Sequence, residues 1–198
     1  MSHTLQIYAH SAHHLEDVER FGKNDPYAQF SLDFTEKKSF QKTAVKKNAG
    51  KDVDWNQNLN IDNFDPSKHH NLYVEILDEE TTADEPIGFT AIPLRQVLDA
   101  PGQSFKGKFD LFTTDSKQKG TVTLTISALK PGQSAHGVNP TPELKGYSQI
   151  ETDHQRRVKS LARKEKVADA GLAAAVIGGL IGAKALHDAH KKAEKTEP

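Results

Sequence analysis

Residues 4–129 are written as short runs in which apolar and polar side chains alternate, and this period of two limits the possible fold more than any other feature. Leu5, Ile7 and Ala9 share one side of the first run, and Val122, Leu124 and Ile126 share one side of the last. Turn signals such as Asp65-Pro66 separate the runs. The spacing predicts strands over 4–10, 26–34, 40–45, 55–61, 71–77, 87–92, 107–112 and 121–129, with one helical hint at 94–98. Without an amphipathic helix among them, strands of this kind bury their apolar faces sheet against sheet. The expectation is an all-β, eight-stranded antiparallel sandwich.

After residue 129 the pattern changes. Pro131, Gly132, Gly137, Pro140, Pro142 and Gly146 crowd a stretch poor in apolar residues, which reads as an extended linker. From residue 152 Val158, Leu161 and Ala162 recur at helical spacing among Arg156, Arg157, Lys159, Arg163, Lys164 and Lys166. The expected division is therefore a sandwich at 1–129, a Pro/Gly-rich linker at 130–150, and a basic, then glycine- and alanine-rich α-helical tail at 151–198. Charge follows the same division. Residues 1–129 carry 14 Lys/Arg against 19 Asp/Glu, whereas 130–198 carry 12 against 8. The basic end suits an anionic membrane or a solvated helix face.

Further along, residues 170–183 are uncharged and number 14, short of the roughly 20 needed to span a bilayer. On a helical wheel Gly171, Ala175, Gly178 and Gly182 form a stripe of small side chains opposite Leu172, Val176 and Leu180. Such a stripe lets helix backbones approach closely. It predicts packing on a second copy, on the sandwich or in a membrane; an alanine-rich solvated helix is the plainer reading.

The absence of cysteine excludes disulfides, thiol nucleophiles and thiolate metal sites, and favours a cytosolic setting. The N-terminal residues lack the charged-then-apolar pattern of a secretory leader, so no cleaved leader is expected. Ten histidines occur without the spacing of a zinc site. No phosphate-binding glycine loop or nucleophile elbow is present either, and an enzyme is not expected.

One segment is more specific. An acidic residue, Glu19, is followed three positions on by Gly22 and three beyond that by Asp25-Pro26-Tyr27. Then come Gln41-Lys42-Thr43, Trp55-Asn56, the acidic run after Val74-Glu75-Ile76-Leu77, Ile87-Gly88 and Gly120-Thr121-Val122-Thr123-Leu124. In this order and at these intervals the chain resembles C2 domains over nearly all of 4–129. Because the Asp-Pro-Tyr loop follows the first strand, the likeness is to the circularly permuted topology of phospholipase C2 domains, and to small proteins holding one C2 domain.

The resemblance implies a calcium site between the first and third loops. Its positions fall on Glu19 and Asp25, then on Asp78, Glu80 and either Asp84 or Glu85. Calcium takes six to eight hard oxygen ligands, so converging carboxylates are what it requires. Glutamate sets its oxygens about 1.5 Å further out than aspartate, one carbon–carbon bond, and the third loop is shortened. One weakly held calcium ion at most is expected, with solvated acidic loops as the competing reading. Asp52 and Asp54 would extend the negative end. Phe21, beside Arg20, is the expected apolar wedge at the loop tip.

Lys42 and Lys46 are read as sharing a strand face within a lysine cluster, where many C2 domains bind phosphoinositide headgroups. Lysines facing a membrane together contribute about 1 kcal/mol each; edge-strand protection is the competing role. Arg163, Lys164 and Lys166 would add to lipid contact from the tail. The function expected is a peripheral, cytoplasmic membrane-binding module for anionic phospholipid, not a nucleic-acid binder. The alternative is a calcium-independent protein-interaction adaptor that forms homo-oligomers, or holds a protein partner, through the small-residue stripe.

Overall fold

The computed structural model describes residues 3–19, 22–133, 143–164 and 167. Strands run over His3–His13 (β1), Pro26–Ser31 (β2), Gln41–Lys42 (β3), Val53–Phe64 (β4), Asn71–Asp78 (β5), Glu85–Pro93 (β6), Ser104–Phe112 (β7), Gln118–Leu129 (β8) and Leu144–Lys145 (β9). A one-turn helix, Arg95–Leu98 (α1), follows β6, and residues 152–164 form a longer helix (α2).

Eight strands lie on one hydrogen-bonded path, β3-β2-β5-β6-β7-β8-β1-β4. Its middle is nearly broken, because β6 and β7 pair only through Phe89 and Phe112. The path therefore splits into two four-stranded sheets, β3-β2-β5-β6 and β7-β8-β1-β4, which fold face to face as the expected antiparallel sandwich. Leu5, Ile7, Phe30, Val74, Ile76, Phe109, Leu111, Val122, Leu124 and Ile126 fill the space between them. Each such side chain stabilises the fold by about 1.5–3 kcal/mol relative to exposure.

Outer strand β4 keeps the alternation the sequence promised, with Val53, Trp55, Leu59 and Ile61 inward and Asp54, Asn56, Asn60 and Asp62 outward. Between Ala9 and Ser11 of β1, β4 spends one extra residue, a bulge at which Asn56 adopts φ 49°. Asparagine tolerates that left-handed backbone better than most residues. Trp55, next to the bulge, points inward with Val53 and Leu59, and its indole donates to the Pro26 carbonyl at 3.3 Å. Trp55 thus clamps the start of β2, which follows the Asp-Pro-Tyr loop.

Two expectations need revising. The predicted strand at 40–45 contributes only Gln41–Lys42 to the ladder, so Lys42 and Lys46 do not share a strand face. The segment read as linker also makes specific contacts over 143–150. β9 lies parallel to β7, Gly146 donates to the Lys108 carbonyl at 2.9 Å, and Gln149 exchanges two 2.9 Å hydrogen bonds with Ala91 of β6. This strap crosses the seam where β6 and β7 part and covers two sheet edges that would otherwise be open. Gly146 is there for packing, since a Cβ would collide with the Phe109 ring.

Helix α2 covers the outer face of the β2-β5-β6 sheet. That is why β2 is buried along its whole length and why Glu75, pointing away from the sandwich core, is fully buried. Buried residues His154 and Val158 form the helix's inward face. The His154 ring lies among Phe34, Tyr73 and Phe89 at centroid distances of 5.3, 5.0 and 5.2 Å.

Candidate metal centre and basic cleft

The acidic residues converge where the β1–β2 loop meets the end of β5 and the β5–β6 loop. Asn24, fully buried, shapes the first of these loops: its side-chain oxygen accepts from the Val18 and Glu19 amides at 3.2 and 3.3 Å, and its amide donates to the Glu16 carbonyl at 2.8 Å. Gly22, at φ 129°, takes a backbone conformation other residues resist. Glu19 is thereby held facing Asp78 at the end of β5. Carboxylate oxygens of Glu19, Asp78 and Glu80 lie within 4.8 Å of one another.

Asp78 is the central member. It is 1% exposed, and one of its oxygens accepts the Asp25 amide at 2.5 Å, while Oδ2 has no hydrogen-bond partner. Burial first, then the charges of Glu19 and Asp25, push its carboxyl up to about 6. A buried carboxylate oxygen without a donor is costly, and Asp78 with the two glutamates beside it offers the hard oxygen donors a divalent cation prefers. These residues fit calcium.

Of the remaining expected ligands, Asp25 is otherwise engaged. Its two oxygens take the Asn48 amide at 2.6 Å and the Lys47 ammonium at 2.9 Å. Burial would raise its carboxyl, but these two donors hold it below the usual carboxylate range. Asp84 accepts the Tyr27 hydroxyl at 2.6 Å and the Glu80 amide at 3.2 Å, so it braces the third loop. Burial and that bond raise the Tyr27 hydroxyl. Glu85 stands opposite Asp78 in the β5–β6 ladder. Asp52 is tied to His13 Nδ1 at 3.2 Å and to the His14 amide at 3.0 Å, and Asp54 points out from β4. Arg20 and Phe21 lie outside the described residues.

A second site lies between α2 and the sheet. A cleft of about 350 Å³ is lined by Tyr27, Lys37, Phe40, Lys42, Arg157 and Lys164, with Asp84 at one side. Lys42 sits 5.1 Å over the Tyr27 ring and Arg157 sits 4.7 Å over the Phe40 ring. The structure therefore brings Lys42 and Lys164 together, although they are far apart in sequence. Lys46 is not among these residues, and Arg163 lines a separate hollow with Lys159 and Asp115. Lys166, Gly171, Ala175, Gly178 and Gly182 fall outside the described residues.

Beneath the cleft lies a charged node that the alternation pattern did not reveal. Glu75 accepts from Arg157 Nε at 2.9 Å and Gln29 Nε2 at 2.5 Å, and it lies 3.1 Å from His154 Nε2. Burial alone would raise Glu75, but His154 and Arg157 hold it below the ordinary glutamate range. A signal was present in the sequence: a glutamate inside the otherwise apolar run Leu72–Leu77 requires a cation from elsewhere.

Two layers of four strands, joined at one pair and carrying their acidic loops at one end, define a C2-type sandwich. The C2 domain family model matches residues 3–111, and the chain belongs to that family. It is 31% identical over 129 residues to the protein SRC2 of Glycine max, an alignment covering 62% of this chain and 44% of that protein. The chain thus spans less than half the length of that curated relative. Among solved structures, a single C2 domain of a plant extended synaptotagmin 1 is 20% identical with a TM-score of 0.55, covering 64% of this chain and 94% of that one. The calcium-bound tandem C2 domains of extended synaptotagmin 2 are 21% identical with a TM-score of 0.52, covering 64% and 42%. At these identities the structural likeness concerns the fold.

Proposed function

We propose that the chain is a non-enzymatic, peripheral membrane-binding module that contacts anionic phospholipid at a cytoplasmic membrane face. Its contact is modulated by weak calcium binding at Glu19, Asp78 and Glu80 and is assisted by the basic cleft. The observation that carries this reading is the buried Asp78 carboxylate, held without a donor on one oxygen beside two further acids. Calcium bound there would reverse the local charge and offer coordination positions to lipid phosphate or carboxylate oxygens. Before that, the same acids repel an anionic surface. Asn24 and the Asp25 amide orient Glu19 and Asp78, while Tyr27 and Asp84 hold the third loop that carries Glu80. Lys42 and Lys164 supply positive charge for headgroups, the charge of Arg157 being met by Glu75.

The test is co-sedimentation of the full chain with phosphatidylserine/phosphatidylcholine vesicles, in calcium and in chelator. Binding that rises with calcium, and a rise that Asp78→Asn removes, is the expected result. If the chain fails to sediment with these vesicles under either condition at low salt, the reading is wrong.

A further inference from the structure

Lys47 lies in the loop between β3 and β4, and its ammonium bridges two acids of the calcium end: Asp25 Oδ2 at 2.9 Å and Glu79 Oε2 at 2.6 Å. Single exposed ion pairs contribute little, but this lysine is placed by the backbone around it. The Lys46 amide donates to the Pro26 carbonyl at 3.1 Å, the Asn48 amide to Asp25 Oδ1 at 2.6 Å, and the Gly50 amide to the Asn24 carbonyl at 3.0 Å. Asn48 adopts φ 55°, which turns its N–H toward Asp25. The loop is laid along the base of the acidic site and delivers one ammonium group into it.

The acids at this end consequently fall into two groups. Glu19, Asp78 and Glu80 face one another, while Asp25 and Glu79 share Lys47. Asp25 is a position that the family resemblance assigns to calcium, yet both of its oxygens are taken by the Lys47 loop. The charge of Lys47 also acts on Asp78, so the two groups share one field. We infer that Lys47 is a tethered counter-cation that fills a second cation position between Asp25 and Glu79, limiting the site to one divalent ion and weakening its hold on that ion. This inference rests on the calcium reading above and adds to it what sets the stoichiometry and affinity. Because the Lys47 side chain is 60% exposed, its field is screened almost as in water, where a fixed positive charge beside a divalent ion weakens binding on the order of tenfold.

Calorimetric titration of calcium into the full chain at low salt, for the wild type, Lys47→Met and Lys51→Met, tests it. Lys51 pairs with Asp17 at 3.3 Å and controls for loss of one positive charge from the same loop. The expected result is one ion for the wild type and for Lys51→Met, against about tenfold tighter binding and a second ion for Lys47→Met. Binding by Lys47→Met alone also supports the inference, with Lys47 then acting as a full block. A wild type that binds calcium, with Lys47→Met unchanged or weaker, overturns the inference and leaves the calcium reading standing. An equal gain in Lys51→Met overturns it too, since bulk charge would then suffice. If no form binds, the calcium reading fails and takes the inference with it.

Discussion

At the scale of single residues, the two buried carboxylates have opposite energetics. Asp78 is buried without enough donors, so its acid is pushed up to about 6. In chelator the folded protein then binds a proton more tightly than the unfolded chain does. Stability is highest below about pH 4 on this account and falls as pH rises toward 6. Asp78→Asn should therefore stabilise the metal-free protein at pH 7 by on the order of 2 kcal/mol, and the gain should vanish near pH 4. Urea melts at the two pH values check this; equal effects at both would refute it. Glu75 runs the other way. His154 and Arg157 depress its acid, so the stability it contributes is present above the unfolded glutamate value and is lost as pH falls through the lower folded one. Arg157→Met leaves a buried carboxylate short of a partner and should cost about 2–4 kcal/mol. Adding Glu75→Gln should recover a substantial part, and the size of that recovery in a double-mutant cycle measures the pair.

Among elements, α2 and the strap at 143–150 are continuous with the sandwich. The strap hydrogen-bonds to both β7 and β6, and α2 neutralises a charge buried on the outer face of β5. A chain ending at residue 133 would expose both edges and leave Glu75 without Arg157 and His154. Its melting temperature should lie roughly 10 °C or more below that of a chain ending at residue 167. Equal melting temperatures would show that the strap and helix do not contribute. Gly146→Val is the sharper version, because it sets a branched side chain against the Phe109 ring; a loss of about 2 kcal/mol is expected.

In the whole molecule, negative charge gathers at the loops following β1 and β5, and positive charge gathers in the cleft beneath α2. Two contributions to membrane contact should therefore separate. Lys42→Glu with Lys164→Glu should reduce vesicle binding in chelator at least several-fold and flatten its salt dependence, while leaving the calcium-dependent increment in place. Vesicle titrations at two salt concentrations measure both. Among the described residues no helix is long and apolar enough to cross a membrane.

Much of this could be read along the chain. The alternation at Leu5, Ile7 and Ala9 and at Val122, Leu124 and Ile126 specifies strands with one buried face, because successive side chains of a strand point to opposite sides. Glu19, Gly22 and Asp25-Pro26-Tyr27 mark the acidic loop through their likeness to C2 domains, and Gly22 takes there a backbone of φ 129° that other residues resist. The remainder arises between distant segments. A linker and a strap have the same composition, and Gly146 becomes a packing residue only when Phe109 lies beneath it. Asp25 looks like any other ligand until Lys47 and Asn48 are brought onto it from more than twenty residues away. Lys42 finds Lys164, and Glu75 finds Arg157, only once α2 lies on the sheet. Local patterns record which way a side chain points. Whether a charge there is solvated, paired or left to seek a cation depends on which remote element covers it.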